Sequence, residues 1–200
     1  MTTRAALRSR PHTSSYVEAV EVRPLERGDR AAVLEIFDGL GPRSRALRFL
    51  TAKPRLTNTD LRQLTEVDQR DHVALLALLH GRPIGVARFV RDQEVPDSAD
   101  VAVAVVDASQ NRGVATLLTS ALVQRAREVG VRRFTMAMAR DNQAAMRLLR
   151  SAPGEIEPLS LDDQTAEFVL TLRDTHEPEW RRIPRYGHPA DDFRTTTGAL

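Results

Sequence analysis

Gln110-Asn111-Arg112-Gly113-Val114-Ala115 is the stretch whose reading decides the fold. Before it, residues 99–106 form an almost pure Val/Ala run broken near its start by Asp100. After it, Val114, Leu117, Leu118, Ala121, Leu122 and Val129 recur at helical spacing, and Gly130 stands just past the helix end. The Val/Ala run predicts a strand buried on both faces. The six residues are therefore a turn from a strand into a helix. Gly113 permits a close backbone approach and conformations closed to other residues. The helix start offers unpaired amides and the positive end of a dipole. Arg112 adds a permanent cation at the same spot. Together these make a cradle for a pyrophosphate. Two rival phosphate motifs fail on spacing: the chain has no Gly-x-x-x-x-Gly-Lys run and no Gly-x-Gly-x-x-Gly.

Outward from the turn, the same alternation of strand and helix continues. Downstream, residues 133–139 read as a strand, Asp141 as the cap of a helix to about residue 150, and Pro153-Gly154 as its end. Residues 165–172 alternate as a last strand. Upstream, the apolar run 72–79, the turn His80-Gly81-Arg82-Pro83 and the run 84–90 make a hairpin. Two short helices are predicted at 43–50 and about 59–67. Nearer the start, Val17, Val20 and Val22 suit a strand that Pro24 ends. Asp29 then caps a helix through Ala31, Val33, Leu34, Ile36 and Phe37. This is the pattern of an α/β sheet whose ligand site lies where strand ends meet a helix N-terminus. Residues 16–174 are expected to form one domain, residues 1–15 a disordered lead and residues 175–200 an irregular tail.

Composition narrows the functional classes. The chain has 29 Lys and Arg against 27 Asp and Glu, a formal charge of only +2, which gives no basis for nucleic-acid binding. With no cysteine there is no disulfide, thiolate metal site or cysteine nucleophile. None of the five histidines is spaced as a ligand beside carboxylates, so no metal is expected. The longest apolar run, 73–79, is too short to cross a bilayer, and a cytoplasmic location is expected.

Ala99-Asp100-Val101-Ala102-Val103, the turn Gln110 to Ala115, and Asn142 with Met146 resemble the GCN5-related N-acetyltransferase (GNAT) superfamily. Within it, Leu64-Thr65-Glu66-Val67-Asp68 with His72, and Ile84-Gly85-Val86-Ala87-Arg88, look like the acetyltransferase domain of bacterial protein-lysine acetyltransferases, here as a free-standing version. The resemblance implies an α/β fold with a mixed central sheet of about six or seven strands and about four or five flanking helices. It implies an acetyl-CoA-dependent transfer to a primary amine, possibly a protein lysine, without a metal. The amides of Gln110, Asn111, Arg112, Gly113, Val114 and Ala115 would hold the coenzyme pyrophosphate. Val105 and Val106 would pair with its pantetheine arm, and Asn142 would touch it from the far side. A strand amide near Val105 would polarise the thioester carbonyl. Asp100 stands where the relatives carry a glutamate base. Being one methylene shorter, it would act through burial or a relaying water. Many members protonate the leaving thiolate with a tyrosine after the last helix, a position that neither Tyr16 nor Tyr186 matches. Ser109 and Asn111 replace a Trp and a Gly common in the relatives. The departures at Asp100 and at the tyrosine define a second hypothesis, a non-catalytic acyl-CoA-binding module. His72 and Asp68 are read as a pair that caps a helix end and opens a strand. Arg181, Arg182 and Arg185, with Trp180 and Tyr186, are read as a tail with its charge offset by nearby acids.

Overall fold

A computed structural model describes residues 16–17 and 19–173. The expected lead and tail, with Trp180, Tyr186 and the arginines around them, lie outside the described residues. Among the described residues, seven strands and five α-helices of eight residues or more follow in the order β1 (Val20–Pro24), α1 (Arg30–Asp38), α2 (Pro42–Phe49), α3 (Asn58–Thr65), β2 (His72–Leu79), β3 (Arg82–Arg91), β4 (Ser98–Val105), α4 (Val114–Glu128), β5 (Arg133–Ala139), α5 (Gln143–Ser151), β6 (Gly154–Leu161) and β7 (Thr165–Leu172). The strands form one mixed sheet in the order β1-β2-β3-β4-β5-β7-β6. Every pairing is antiparallel except that of β4 with β5. Among the described residues no helix is long and apolar enough to cross a membrane.

Side chains alternate across the strands, so the sheet carries two cores. On one face α4 lays Leu118 and Leu122 over Val73, Ala87, Phe89 and Ala99, with Phe134 completing the layer. Gly85 lets this helix sit close, since a Cβ there would stand 3.1 Å from Leu118 Cδ1 and 3.1 Å from the Ala104 oxygen. On the other face Val33 and Ile36 of α1 and Leu61 of α3 pack on Ala74 and Leu76. Burial of the fully enclosed Phe89 and Phe134 contributes about 1.5–3 kcal/mol each.

Four sequence expectations are corrected. Val17 falls in a helical turn rather than in the first strand, which begins at Val20. Asn142, not Asp141, caps α5, its Oδ1 accepting from the Ala145 amide at 3.0 Å. Asp141 instead faces Arg43 across 3.5 Å on the surface. The sequence reading passed over β6, because Pro158 interrupts its pattern and its side chains are mostly exposed. It is an edge strand, where a missing donor is tolerated, and its register shifts beside Pro158. Finally, β4 is not covered on both faces: Asp100 is exposed and Val101 to Ala104 are half-buried. The reason lies in how β4 meets β5, which also creates the site.

Candidate active site

The parallel ladder between β4 and β5 has only three rungs, Ser98 with Arg133, Ala99 with Phe134 and Asp100 with Thr135. Beyond Asp100 β4 keeps its pairing with β3 as far as Val105, while β5 keeps its pairing with β7 as far as Ala139. The two strands thus part into a wedge at the middle of the sheet. Val106 opposes Ile84 in the extended register and donates to its carbonyl at 2.9 Å. By antiparallel alternation, the backbone groups of Val101, Val103 and Val105 therefore turn away from β3. The rung of Asp100 with Thr135 takes the Val101 amide, so the amides of Val103 and Val105 are those that open onto the wedge. Gln110 confirms this for Val105: its Nε2 donates to the Val105 carbonyl at 3.0 Å. Val106 spends its amide on Ile84 and its carbonyl on the Ser109 amide at 2.8 Å, so its own backbone is engaged within the turn.

The turn stands at the wide end of this wedge. Gly113 has φ 86° and is the N-cap of α4, with no side chain capping the helix start. The first helical bond runs from Leu117 to the Gly113 carbonyl, so the amides of Val114, Ala115 and Thr116 have no partner in the helix. Asn111 also has positive φ, 58°. Asparagine is among the side chains that tolerate this conformation. Gln110, Asn111 and Arg112 are exposed. A concave run of amides at a positive helix end, without a carboxylate cap, suits a pyrophosphate.

The turn is tied to its surroundings by side chains that the sequence reading did not single out. Asp107 accepts from the Gly41 amide at 3.1 Å, and its own amide donates to the Gly39 carbonyl at 3.0 Å. Gly39 is required here, because a Cβ would stand 2.6 Å from Val106 Cγ1. Gln110 Nε2 also reaches Asp107 Oδ1 at 3.0 Å and Ser44 Oγ at 3.3 Å. The Arg112 guanidinium lies over the Tyr16 ring at 4.7 Å, and the Tyr16 hydroxyl shares a 3.0 Å hydrogen bond with the buried Ser109. Tyr16 thus braces the turn from behind.

Asp100 lies at the closed end of the wedge, where its carboxylate accepts from the Thr135 hydroxyl. Its side chain shares a sheet face with Arg88 and Val90 of β3, and with His72 and Ala74 of β2, as the registers dictate. His72 is half-buried with Nε2 unpartnered, and burial, then the Arg88 charge, lowers its pKa. Asp68 accepts from the amides of Arg70, Asp71 and His72 at 2.8–2.9 Å. Burial works to raise the pKa of that carboxyl, but the amides outweigh it and hold it below the usual value. Asp68 therefore organises the loop into β2. Asn142 uses its oxygen as the α5 cap, which leaves its amide nitrogen as a donor. The described residues contain no cluster of side chains able to hold a metal.

Comparison with known proteins places this chain among acetyltransferases. Residues 43–152 match the acetyltransferase (GNAT) family. Acetyltransferase PA5475 of Pseudomonas aeruginosa is 30% identical over 150 residues, covering 73% of this chain and 80% of that protein. Acetyltransferase Pat of Mycolicibacterium smegmatis is 37% identical over 95 residues, covering 46% of this chain but only 28% of that protein. The crystal structure of the GNAT domain of S. lividans PAT superposes with a TM-score of 0.71 at 29% identity, covering 76% of this chain and 90% of that one. The yncA protein of Salmonella typhimurium, solved with its cofactor acetyl-CoA, shares the fold at 22% identity and a TM-score of 0.59, covering 80% of this chain and 97% of that one.

Proposed function

The chain belongs to the acetyltransferase (GNAT) family, and on that premise we propose that it moves an acetyl group from acetyl-CoA to a primary amine, a class that includes a protein lysine. The observation that carries the reading is the wedge between β4 and β5, open beyond Asp100 and ending on an uncapped helix start. The amides from Asn111 to Ala115 bind the pyrophosphate, with Asn142 as a donor from the other side. The pantetheine arm lies along the free edge of β4, pairing with Val105 as a further strand would.

Asp100 takes the proton of the attacking amine, directly or through one water, because only the neutral amine is a nucleophile. Strand rise separates Val105 from Asp100 by about 16 Å, at roughly 3.3 Å for each residue. The amide that polarises the thioester carbonyl is therefore that of Val103, on the same edge and nearer the base. Tyr16 is engaged with Ser109 and serves the turn. The thiolate leaves without a dedicated acid, consistent with a thiol pKa of about 8.5.

The test is release of free coenzyme A thiol from acetyl-CoA, followed across primary amines and lysine peptides. Amine-dependent release is expected. Absence of coenzyme A binding by calorimetry, or thiol release that no amine accelerates, would end the proposal.

A further inference from the structure

Behind the wedge, on the sheet face that carries Asp100, the helices leave a small pocket of about 30 Å³, lined chiefly by apolar side chains and by two arginines, Arg48 and Arg88. Both arginines are half-buried. Among the described residues neither forms an ion pair. Arg88 reaches only the Gln63 carbonyl, at 3.4 Å, and Arg48 lies 5.0 Å from the centre of the Phe49 ring. Burial, then the charge of Arg48, pushes the Arg88 pKa down to about 10, and burial also lowers that of Arg48. Other arginines of the chain have found carboxylates, as Arg23 with Asp29 at 2.7 Å, Arg91 with Asp71 at 2.6 Å and Arg133 with Asp97 at 2.6 Å. Two cations that repel one another in an apolar pocket, each without an acid, are costly to hold unless an anion joins them. A guanidinium offers that anion a planar fork of donors.

The registers fix where the pocket lies relative to the chemistry. Arg88 opposes Ala102 and Val90 opposes Asp100, so Arg88 and Asp100 are diagonal neighbours on adjacent strands. Such positions lie about 7–8 Å apart. Ala104, which also lines the pocket, is the next residue of β4 on that face. Resting on the reading of the chain as an amine acetyltransferase, we propose that its acceptor is a small amino acid whose carboxylate seats on Arg48 and Arg88, with its amine toward Asp100.

The experiment compares phenylalanine and 6-aminohexanoate with their amides, phenylalaninamide and 6-aminohexanamide, as acceptors for the full chain at saturating acetyl-CoA. Loss of one charge-assisted contact corresponds to about 10- to 100-fold in kcat/KM, so at least one acid is expected to exceed its amide by that factor. Arg88→Gln and Arg48→Gln should bring the ratio toward one with coenzyme A affinity unchanged, and Arg88→Lys should retain part of it. Equal use of acid and amide, a ratio that survives both glutamine variants, or a neutral-flanked lysine peptide that outperforms every acid would overturn the proposal. If no amine is acetylated, the transferase reading fails separately. Calorimetry on the coenzyme A-saturated chain then decides the pocket. Binding of an acid but not of its amide supports it, and binding of neither overturns it.

Discussion

Two regions stand back to back on β4, and they are made of different material. The cradle from Gln110 to Ala115 presents backbone amides, its shape held by the positive φ of Asn111 and Gly113 and by the Gln110 and Asp107 side chains. The pocket on the other side presents side chains, Arg48 and Arg88 among apolar neighbours from three helices and two strands. A site made of amides recognises a group common to every acyl-coenzyme A. A site made of side chains can be altered residue by residue, so it is where selectivity among acceptors resides.

Substitutions on the two sides should therefore fail in different ways. The largest effect is expected for Asp100→Asn, where loss of the base lowers kcat by about 100-fold or more while coenzyme A affinity, measured by calorimetry, is unchanged. Unchanged turnover would remove Asp100 from the chemistry and leave the cradle standing. Next comes Gly113→Val, which forces a β-branched residue to φ 86° at a strain of about 1–3 kcal/mol. Coenzyme A affinity should fall by about 10- to 100-fold. The ratio of acid to amide acceptors should be unaltered, and a shift in that ratio would mean that the two regions are coupled.

Smaller effects belong to the pocket. Arg88→Met should raise the melting temperature by about 2–4 °C, because it replaces a poorly solvated and unpaired cation by an apolar chain of similar length. Lower stability would show that Arg88 has a structural partner. The smallest effect is one of pH. Lys53 donates to Asp60 at 2.7 Å, and Thr57 adds its amide and hydroxyl, which holds the Asp60 pKa down to about 2 from 3.8. A lowered acid stabilises the fold above its unfolded value and loses that contribution as pH falls. The stability gap between the wild type and Asp60→Asn, constant above about pH 4, should close as pH drops toward 2. Because α3 brings Leu64 to the pocket, acid-induced loosening should show in acceptor binding before coenzyme binding.

The cradle was legible in the sequence because its signals are local: a Val/Ala strand, a glycine at the helix start, and an apolar stripe of period 3.6 beyond it. The same locality made both hairpin strands β2 and β3 legible, and the three helices before them. The cap of α5 was misassigned by one residue because Asp141 and Asn142 are equally good caps by type, and only backbone geometry chooses. The pocket left no trace in the sequence. Arg48 and Arg88 are 40 residues apart, in a chain with 29 Lys and Arg, and nothing near either sets it apart from those that pair with carboxylates.

By itself, then, the sequence determined the order of elements apart from β6, the strand-to-helix turn from Gln110 to Ala115 and the place of Asp100 near the start of β4, since each follows from residues within a few places of one another. Only the tertiary structure decided that β5 leaves β4 after three rungs, that Val103 and Val105 face the opening, and that two distant arginines share one pocket on the sheet face of Asp100. Those facts depend on strand register and on which helices cover which face, and long-range packing fixes both.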